Sequence, residues 1–248
     1  MTVSIVTPAY NAQAYLGATI ESVLQQTYPD WEMLVVDDCS TDGTRAIAAG
    51  YAASDARVRL IEQPQNGGPA RARQAAVERA TGRYVAFLDS DDCWLPEKLE
   101  RQLAFMERSG AAFSFTGFRR VAAQGGRIGR RIHVPARLTY RRLLGNTAIA
   151  TSTVILDRSV TGPFRMTVTY YDDFALWLEI TKRGFPAQGL DEDLMRYRVV
   201  GGSVSRNKWR SAKMVWRTYR DVERLGLLRS SLSFAHYALN GVLKYRDF

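Results

Sequence analysis

The first 110 residues alternate between short apolar segments of strand length and segments in which apolar residues recur at helical spacing. This alternation constrains the fold more than any other feature of the 248-residue chain. The predicted strands cover Val3 to Thr7, Trp31 to Val36, Val58 to Gln63 and Tyr84 to Leu88. Strands that alternate with helices favour an α/β fold with a doubly wound, mostly parallel sheet, whose ligands lie beyond the carboxyl ends of the strands.

The rest of the sequence predicts a looser arrangement and a helical end. After a helix over about Pro96 to Ser109, the segment from Ala123 to Arg131 is rich in Gly and Arg and predicts a mobile connection. A helix opens at Tyr171-Asp172-Asp173, and the pattern is helical again from about Lys208. Further strands are predicted at Ala112 to Val121, Thr151 to Leu156 and Leu194 to Val199.

Candidate site segments follow three of the predicted strands directly. Pro8-Ala9-Tyr10 follows the first, Asp37-Asp38 the second and Asp89-Ser90-Asp91-Asp92 the fourth. Carboxylates this close raise one another's pKa unless a cation or hydrogen bonds compensate. Hard oxygen ligands suit Mg²⁺ or Mn²⁺, which commonly bridge protein carboxylates to substrate phosphates. The last motif therefore indicates a divalent-metal site, with a solvated acidic turn as the alternative.

Composition excludes several classes of protein. The two cysteines, Cys39 and Cys93, and the two histidines, His133 and His236, give no disulfide framework, no zinc-ligand spacing and no Ser-His-Asp hydrolase. No apolar run reaches the roughly 20 residues that span a bilayer, and the amino terminus lacks a signal-type segment. We therefore expect a cytoplasmic protein.

The net charge of +9 is concentrated in two regions. Residues 198–248 hold 11 Lys or Arg against 3 Asp or Glu, and the stretch from Arg119 to Arg142 holds eight arginines and no acid. Such bias predicts anionic partners: phosphate, a membrane surface or nucleic acid. A basic helix with Trp and Tyr fits an anionic membrane surface, so that the protein would be peripheral on the inner face of the membrane. Helices that pack on the same chain, or on a second subunit in a homodimer, are the alternative.

Five motifs occur in the order, and at about the spacing, of a known enzyme family. The sequence resembles family 2 glycosyltransferases of the GT-A fold over roughly residues 2 to 200. Its closing segment, Tyr197 to Lys208, is similar to that of short bacterial members that build surface polysaccharides, such as the teichuronic acid type enzymes. The motifs are Val3 to Asn11, Val35 to Thr44, Asn66 to Arg73, Phe87 to Asp92 and Tyr171 to Asp173.

The resemblance implies a domain organisation and a nucleotide site. A catalytic domain would cover 1–205, with a nucleotide-sugar half at 1–110 and an acceptor half at 111–205, before a basic amphipathic helical tail at 206–248. The donor would be a UDP-sugar. Pro8 and Tyr10 would border the base, Asp38 would hydrogen-bond the uracil, and the loop containing Gly68 and Arg73 would lie along the nucleotide. Cys39 stands where Gly is frequent, so we expect a slightly different backbone there.

The resemblance also implies the reacting groups. Asp89 would reach the ribose or the metal, Asp91 would ligate Mn²⁺ or Mg²⁺, and Asp173 would be the catalytic base. Asp172, also assigned to substrate binding, stands where many relatives have Glu. A metal stabilises the charge of a leaving diphosphate, and a carboxylate takes the proton of the acceptor hydroxyl. One base without a covalent nucleophile predicts inversion at the sugar. The acceptor would be a glycan, such as one carried on the lipid undecaprenyl diphosphate.

Two other classes of function stay open from the sequence alone. A sugar nucleotidyltransferase also uses a doubly wound sheet and acidic metal ligands, but Pro8-Ala9-Tyr10-Asn11 stands where its glycine-rich phosphate loop is expected. A basic nucleic-acid-binding protein would agree with the charge alone. It leaves the acidic strand ends unexplained, and we therefore expect no nucleic acid partner.

Overall fold

The described part of the computed structural model comprises residues 2–124, 126–146, 148–200 and 208–245, without the side chains of Lys208 and 241–245. One mixed sheet runs through it, in the order β3-β2-β1-β4-β9-β6-β10-β5, with β7 paired to β6 and β8 to β10. The strands are β1 (Val3–Ala9), β2 (Trp31–Asp37), β3 (Val58–Glu62), β4 (Tyr84–Phe87), β5 (Cys93–Trp94), β6 (Phe113–Ala122), β7 (Ile128–Ile132), β8 (Arg137–Leu138), β9 (Ile155–Asp157) and β10 (Ala187–Val199).

The helices cover both faces of this sheet. They are α1 (Leu16–Leu24), α2 (Thr44–Ser54), α3 (Pro69–Arg79), α4 (Lys98–Ser109), α5 (Tyr140–Leu144), α6 (Arg158–Thr161), α7 (Asp172–Lys182), α8 (Lys208–Arg217) and α9 (Leu227–Tyr245). Apolar residues of α3 and α7 join one core cluster, and those of α1, α2 and α4 join the other. The predicted α/β class with a mostly parallel, doubly wound sheet is confirmed.

The amino-terminal half follows the predicted pattern. Strands β3, β2, β1 and β4 are parallel, and every residue of β1 is buried because the strand lies between two neighbours and under helices on both faces. Parallel strands end at one edge, so the segments after β1, β2 and β4 meet there. We call this the carboxyl edge of the sheet.

The second half departs from the sequence predictions in three places. The segment predicted as a mobile connection forms part of a hairpin, because β7 pairs antiparallel with β6. Its partly exposed, arginine-rich strand carries no apolar alternation, so the pattern did not reveal it. The strand predicted from Thr151 begins as a 3₁₀ turn at Thr151–Thr153 and becomes β9 only at Ile155. Strand β10 starts at Ala187, well before the predicted Leu194, and stays paired to β6 through two register shifts.

The carboxyl-terminal helices pack on the rest of the chain. Val215 and Tyr219 are fully buried, and the Tyr219 hydroxyl donates a hydrogen bond to the main-chain oxygen of Leu144. A π-helical turn at Thr218–Val222 separates α8 from α9. The predicted boundary between 205 and 206, and residues 201–207 of the closing motif from Tyr197 to Lys208, lie outside the described residues. No helix in the described ranges has the length and apolar character that a membrane span requires.

Candidate active site

The loop between β3 and α3 is fastened to the end of β2 by Asp38. Both carboxylate oxygens of Asp38 accept main-chain N–H groups, from Gly67 at 2.8 Å and from Gly68 at 2.7 Å. Gly68 has a φ of 80°, which L side chains rarely adopt, so glycine suits this position. The Asn66 amide donates to the main-chain oxygen of Asp38 at 2.9 Å. Asp38 therefore shapes the start of α3 at the carboxyl edge.

Arg73 on α3 joins two of the predicted site motifs. Its guanidinium donates to Asp89 after β4 at 2.6 Å and to Asp172 at the start of α7 at 3.1 Å. Burial works to lower the pKa of Arg73, which is only 7% exposed, but the charges of Asp89, Asp172 and Asp173 outweigh it and raise the pKa. Arg73 is therefore a fixed cation between α7 and the segment Asp89 to Asp92, which we call the acidic loop.

Asp91 is a partly buried carboxyl in an acidic environment. Burial, and then the charge of Asp89, raise the pKa of the Asp91 carboxyl to about 6, while Arg198 and Arg73 oppose this rise. Within the described ranges, no three His, Cys, Asp or Glu side chains are arranged to hold a metal between them. The donor set fits an ion such as Mg²⁺ or Mn²⁺, which takes one or two carboxylates and completes its shell with substrate phosphates and water.

Asp92 holds the acidic loop in place. Its side chain is 1% exposed and accepts hydrogen bonds from the Ser152 hydroxyl at 2.5 Å and from the main-chain N–H of Arg198 at 2.9 Å. The Arg198 side chain donates to the main-chain oxygen of Asp91 at 2.8 Å. Burial, and then Asp91 and Asp89, raise the pKa of Asp92 well above its usual value. These contacts fix the backbone from which the Asp91 carboxylate projects.

Asp173 lies at the start of α7, in an environment that raises the pKa of its carboxyl. Burial, and then the charge of Asp172, raise its pKa to about 6, although Arg73 and the Thr151 hydroxyl, at 2.5 Å, stabilise the anion. The amino terminus of α7, which tends to lower the pKa of a nearby carboxyl, does not offset this rise. Burial, and then the Asp173 charge, also raise the pKa of Tyr171, so this neighbour stays neutral. A carboxylate with a pKa near 6 is suited to accept a proton at neutral pH.

The first motif lies beside Asp38 on the neighbouring strand. Pro8 is buried in β1 opposite Val36, and the Tyr10 side chain after that strand is 53% exposed. Cys39 adopts a φ of 61°, the left-handed conformation that glycine adopts most readily, and a backbone slightly different from that of relatives with Gly stays a prediction. The Tyr10 ring is therefore an exposed aromatic surface beside the end of β2, where Asp38 lies.

The structure brings the predicted site residues together along one edge. Asp38 contacts the loop containing Gly68, Arg73 contacts Asp89 and Asp172, and Asp173 follows directly in the chain. Sequence reasoning missed the polar contacts that hold this edge: Thr19, Thr151, Ser152 and Arg198. Of these, only Arg198 belonged to a segment that resembles the family, the closing motif from Tyr197 to Lys208.

The fold and the site define a class. A mostly parallel α/β sheet whose carboxyl edge carries an exposed aromatic ring, a glycine loop and buried carboxyl groups has the organisation of α/β enzymes that bind their ligands beyond the ends of the strands. The comparisons with known proteins give the family. The model of the family described as Glycosyl transferase family 2 matches residues 4–164, and the chain belongs to that family.

Relatives of similar length agree. A protein named for teichuronic acid biosynthesis, the glycosyltransferase TuaG of Bacillus subtilis (strain 168), is 48% identical over 243 residues, which are 98% of this chain and 96% of TuaG. WfgD of Escherichia coli is named a UDP-Glc:alpha-D-GlcNAc-diphosphoundecaprenol beta-1,3-glucosyltransferase. It is 36% identical over 242 residues, 97% of this chain and 92% of WfgD. The chain is thus a glycosyltransferase of bacterial polysaccharide synthesis.

Solved structures share the GT-A fold. TarS 1–349 of Staphylococcus aureus, in complex with UDP-GlcNAc, has a TM-score of 0.70 at 20% identity and covers 96% of this chain and 72% of its own. The mannosyltransferase PcManGT of Pyrobaculum calidifontis, in complex with GDP-Man and Mn²⁺, has a TM-score of 0.71 at 19% identity and covers 95% and 68%. At this identity, the likeness concerns the fold alone.

Proposed function

We propose that this enzyme moves a sugar from a UDP-sugar to a hydroxyl of a lipid-linked glycan acceptor, with inversion at the sugar. One observation carries the proposal: Arg73 pairs with Asp89 after β4 and with Asp172 at the start of α7, which brings the two segments to one edge of the sheet. The proposed diphosphate site and the proposed base lie in these two segments. TarS was solved with UDP-GlcNAc, and WfgD is named for a diphosphoundecaprenol acceptor. These names suggest the donor class and the acceptor class.

The nucleotide would lie along β1, β2 and α3. Tyr10 offers an exposed ring for the base, beside Pro8. Asp38 uses both carboxylate oxygens on Gly67 and Gly68 but retains lone pairs that can accept the uracil N–H. The Gly68 backbone leaves room for the nucleotide, and Asp89, fixed by Arg73, is the candidate partner of the ribose.

The diphosphate would lie over the acidic loop. Asp91 would hold Mn²⁺ or Mg²⁺, and the bound ion would supply positive charge to the leaving UDP. Asp92 and Arg198 orient this loop through the hydrogen bonds already described. Positive charge at such a site would lower the barrier to the departure of UDP, because negative charge accumulates on the diphosphate in the transition state.

Asp173 would act as the base in a single displacement. Its carboxylate accepts the proton of the acceptor hydroxyl, the hydroxyl oxygen attacks the sugar carbon, and UDP departs from the opposite face. The neighbouring carboxylates Asp172 and Asp89 are both paired with Arg73, which disfavours them as covalent nucleophiles. An α-linked donor would therefore give a β-linked product.

The acceptor would be presented at the inner face of the cell membrane, where a peripheral enzyme can reach it. The domain organisation proposed for this activity is a catalytic domain at 1–205, with halves at 1–110 and 111–205, and a tail at 206–248. A homodimer is compatible with the activity but is not needed for it, since the proposed groups all belong to one chain.

The experiment is a panel of UDP-sugars tested for UDP release, with a GlcNAc-diphospholipid analogue as acceptor, with and without Mn²⁺ or Mg²⁺. We expect release with one donor, dependent on metal and acceptor, and a β-anomeric product by NMR. Asp91→Asn should abolish metal-dependent release, whereas the control Glu97→Gln, which removes an exposed acid that pairs with Arg101, should retain it. Release without metal, or a product with retained configuration, would contradict the proposal.

A further inference from the structure

Helix α9 presents a row of leucines to solvent. Leu228, Leu232 and Leu239 are 77%, 58% and 62% exposed. Their spacing of four and seven residues places them on one face of the helix, and Ala235 lies between them on the same face. We call this row the leucine stripe. Large apolar side chains that align on an exposed helix face indicate an interaction surface, because scattered exposed leucines would show no such order.

The opposite face of α9 is already occupied. Phe234 packs edge to face on Trp216 of α8 with ring centroids 5.5 Å apart, and Tyr237 lies 5.7 Å from Phe234. The Asn240 amide donates to the main-chain oxygen of Gly145 at 2.8 Å. The helix is therefore anchored by its inner face, and this anchoring keeps the leucine stripe directed outwards.

The charged residues within α8 and α9 are all basic, whereas the turn between the two helices holds the acidic Asp221 and Glu223. From Arg224 to Tyr245 the sequence contains three basic residues and no acid, and α8 contains four basic residues and no acid. Trp209 at the start of α8 is 87% exposed. The acidic Glu223, just before this region, is engaged by the Tyr140 hydroxyl at 2.5 Å and by Lys182 at 3.0 Å. The exposed side chains of the two helices thus include basic residues, Arg210, Lys213, Arg217 and Arg229, beside the apolar ones.

We propose that the leucine stripe, with the basic residues of α8 and α9, is the surface by which the enzyme docks on an anionic lipid bilayer. Leucines that insert between lipid head groups, with cations beside anionic phosphates, are the two components of interfacial helix binding. A second copy of this chain is a poorer occupant, because it would bring the same positive charges together. The inference rests on the proposed function, in which the acceptor is carried on a lipid.

The test uses the full chain and vesicles of phosphatidylcholine with or without phosphatidylglycerol, in a sedimentation assay. The triple variant Leu228→Ser, Leu232→Ser and Leu239→Ser removes the stripe. The matched control is a triple variant at exposed apolar residues elsewhere in the chain, Ile128→Ser, Val160→Ser and Val168→Ser. We expect the parent and the control to bind phosphatidylglycerol vesicles, more weakly at high salt, and the stripe variant to bind at least tenfold more weakly.

Several outcomes would overturn the inference. One is equal vesicle binding by the stripe variant and the parent. Another is a parent that ignores anionic vesicles but forms dimers in light scattering that the stripe variant loses, which would assign the stripe to a second copy. Transfer to a water-soluble acceptor analogue separates the two proposals: its absence counts against the proposed function, whereas normal transfer with stripe-independent vesicle binding counts against the docking surface alone.

Discussion

Replacement of Arg73 by Gln is expected to move the pH dependence of transfer upward. Asp173 must be ionised to accept a proton, and with its pKa at about 6 the parent should reach half of its maximal kcat near that pH. Arg73 is one of the groups that hold this pKa down, and a cation within a few ångströms lowers a carboxyl pKa by about 1 to 3 units. Loss of the Arg73 charge should therefore shift the midpoint to about 7 or higher.

The size of the effect depends on the pH of the assay. For a shift of about one unit, the ionised fraction at pH 6 falls from about one half to about one tenth, a roughly fivefold loss that disappears at high pH. The assay is kcat from UDP release between pH 5 and 9, at saturating substrates. Any loss of substrate contacts lowers the plateau but does not move the midpoint.

The control for this variant lies on the same helix. Arg79 at the end of α3 donates to the main-chain oxygen of Ala75 and is not among the groups that act on Asp173. Arg79→Gln should leave the midpoint unchanged. If Arg73→Gln keeps the midpoint of the parent, or lowers it, then Arg73 does not tune the base and the electrostatic argument for Asp173 is wrong.

Further variants test the other groups. Asp173→Asn should retain UDP binding in calorimetry and lose about 10² to 10⁴ in kcat; near-parental turnover would place the base elsewhere. Ser152→Ala removes a hydrogen bond to buried Asp92 and should destabilise the fold by about 1 to 3 kcal/mol in urea titrations, while an unchanged midpoint would show that the contact contributes nothing. Lys98 is fully buried, has no hydrogen-bond partner for its amine in the described ranges, and lies 3.6 Å over the Trp94 ring. Burial lowers its pKa, so the unfolded chain binds more protons and stability rises with pH up to about 10. Lys98→Met should remove part of that slope, and parallel stability curves for the two proteins would refute this.

The parallel half of the fold was predictable because its signals are local. Val3 to Thr7 and Tyr84 to Leu88 carry apolar side chains on both faces of the strand. Segments in which apolar residues recur at helical spacing lie between the predicted strands. Polar residues just beyond parallel strands must share an edge, so the proximity of Asp38 and the acidic loop followed from topology.

The remaining features depend on contacts between distant residues. Arg73 pairs with Asp172 across 99 positions, and Arg198 contacts Asp91 across 107. Nothing in local spacing specifies that β9 enters the sheet beside β4, which is what brings Ser152 next to Asp92. Strand β7 escaped prediction because an edge strand with partly exposed side chains is held by main-chain hydrogen bonds, which any sequence can make.

A crystal structure of the enzyme with UDP and Mn²⁺ tests the central claim most directly. The account predicts one Mn²⁺ ion coordinated by an Asp91 carboxylate oxygen and by the diphosphate, with the uracil beside Asp38 and Tyr10. A diphosphate bound away from the loop after β4, or a UDP complex in which Asp91 contacts no metal, would contradict it.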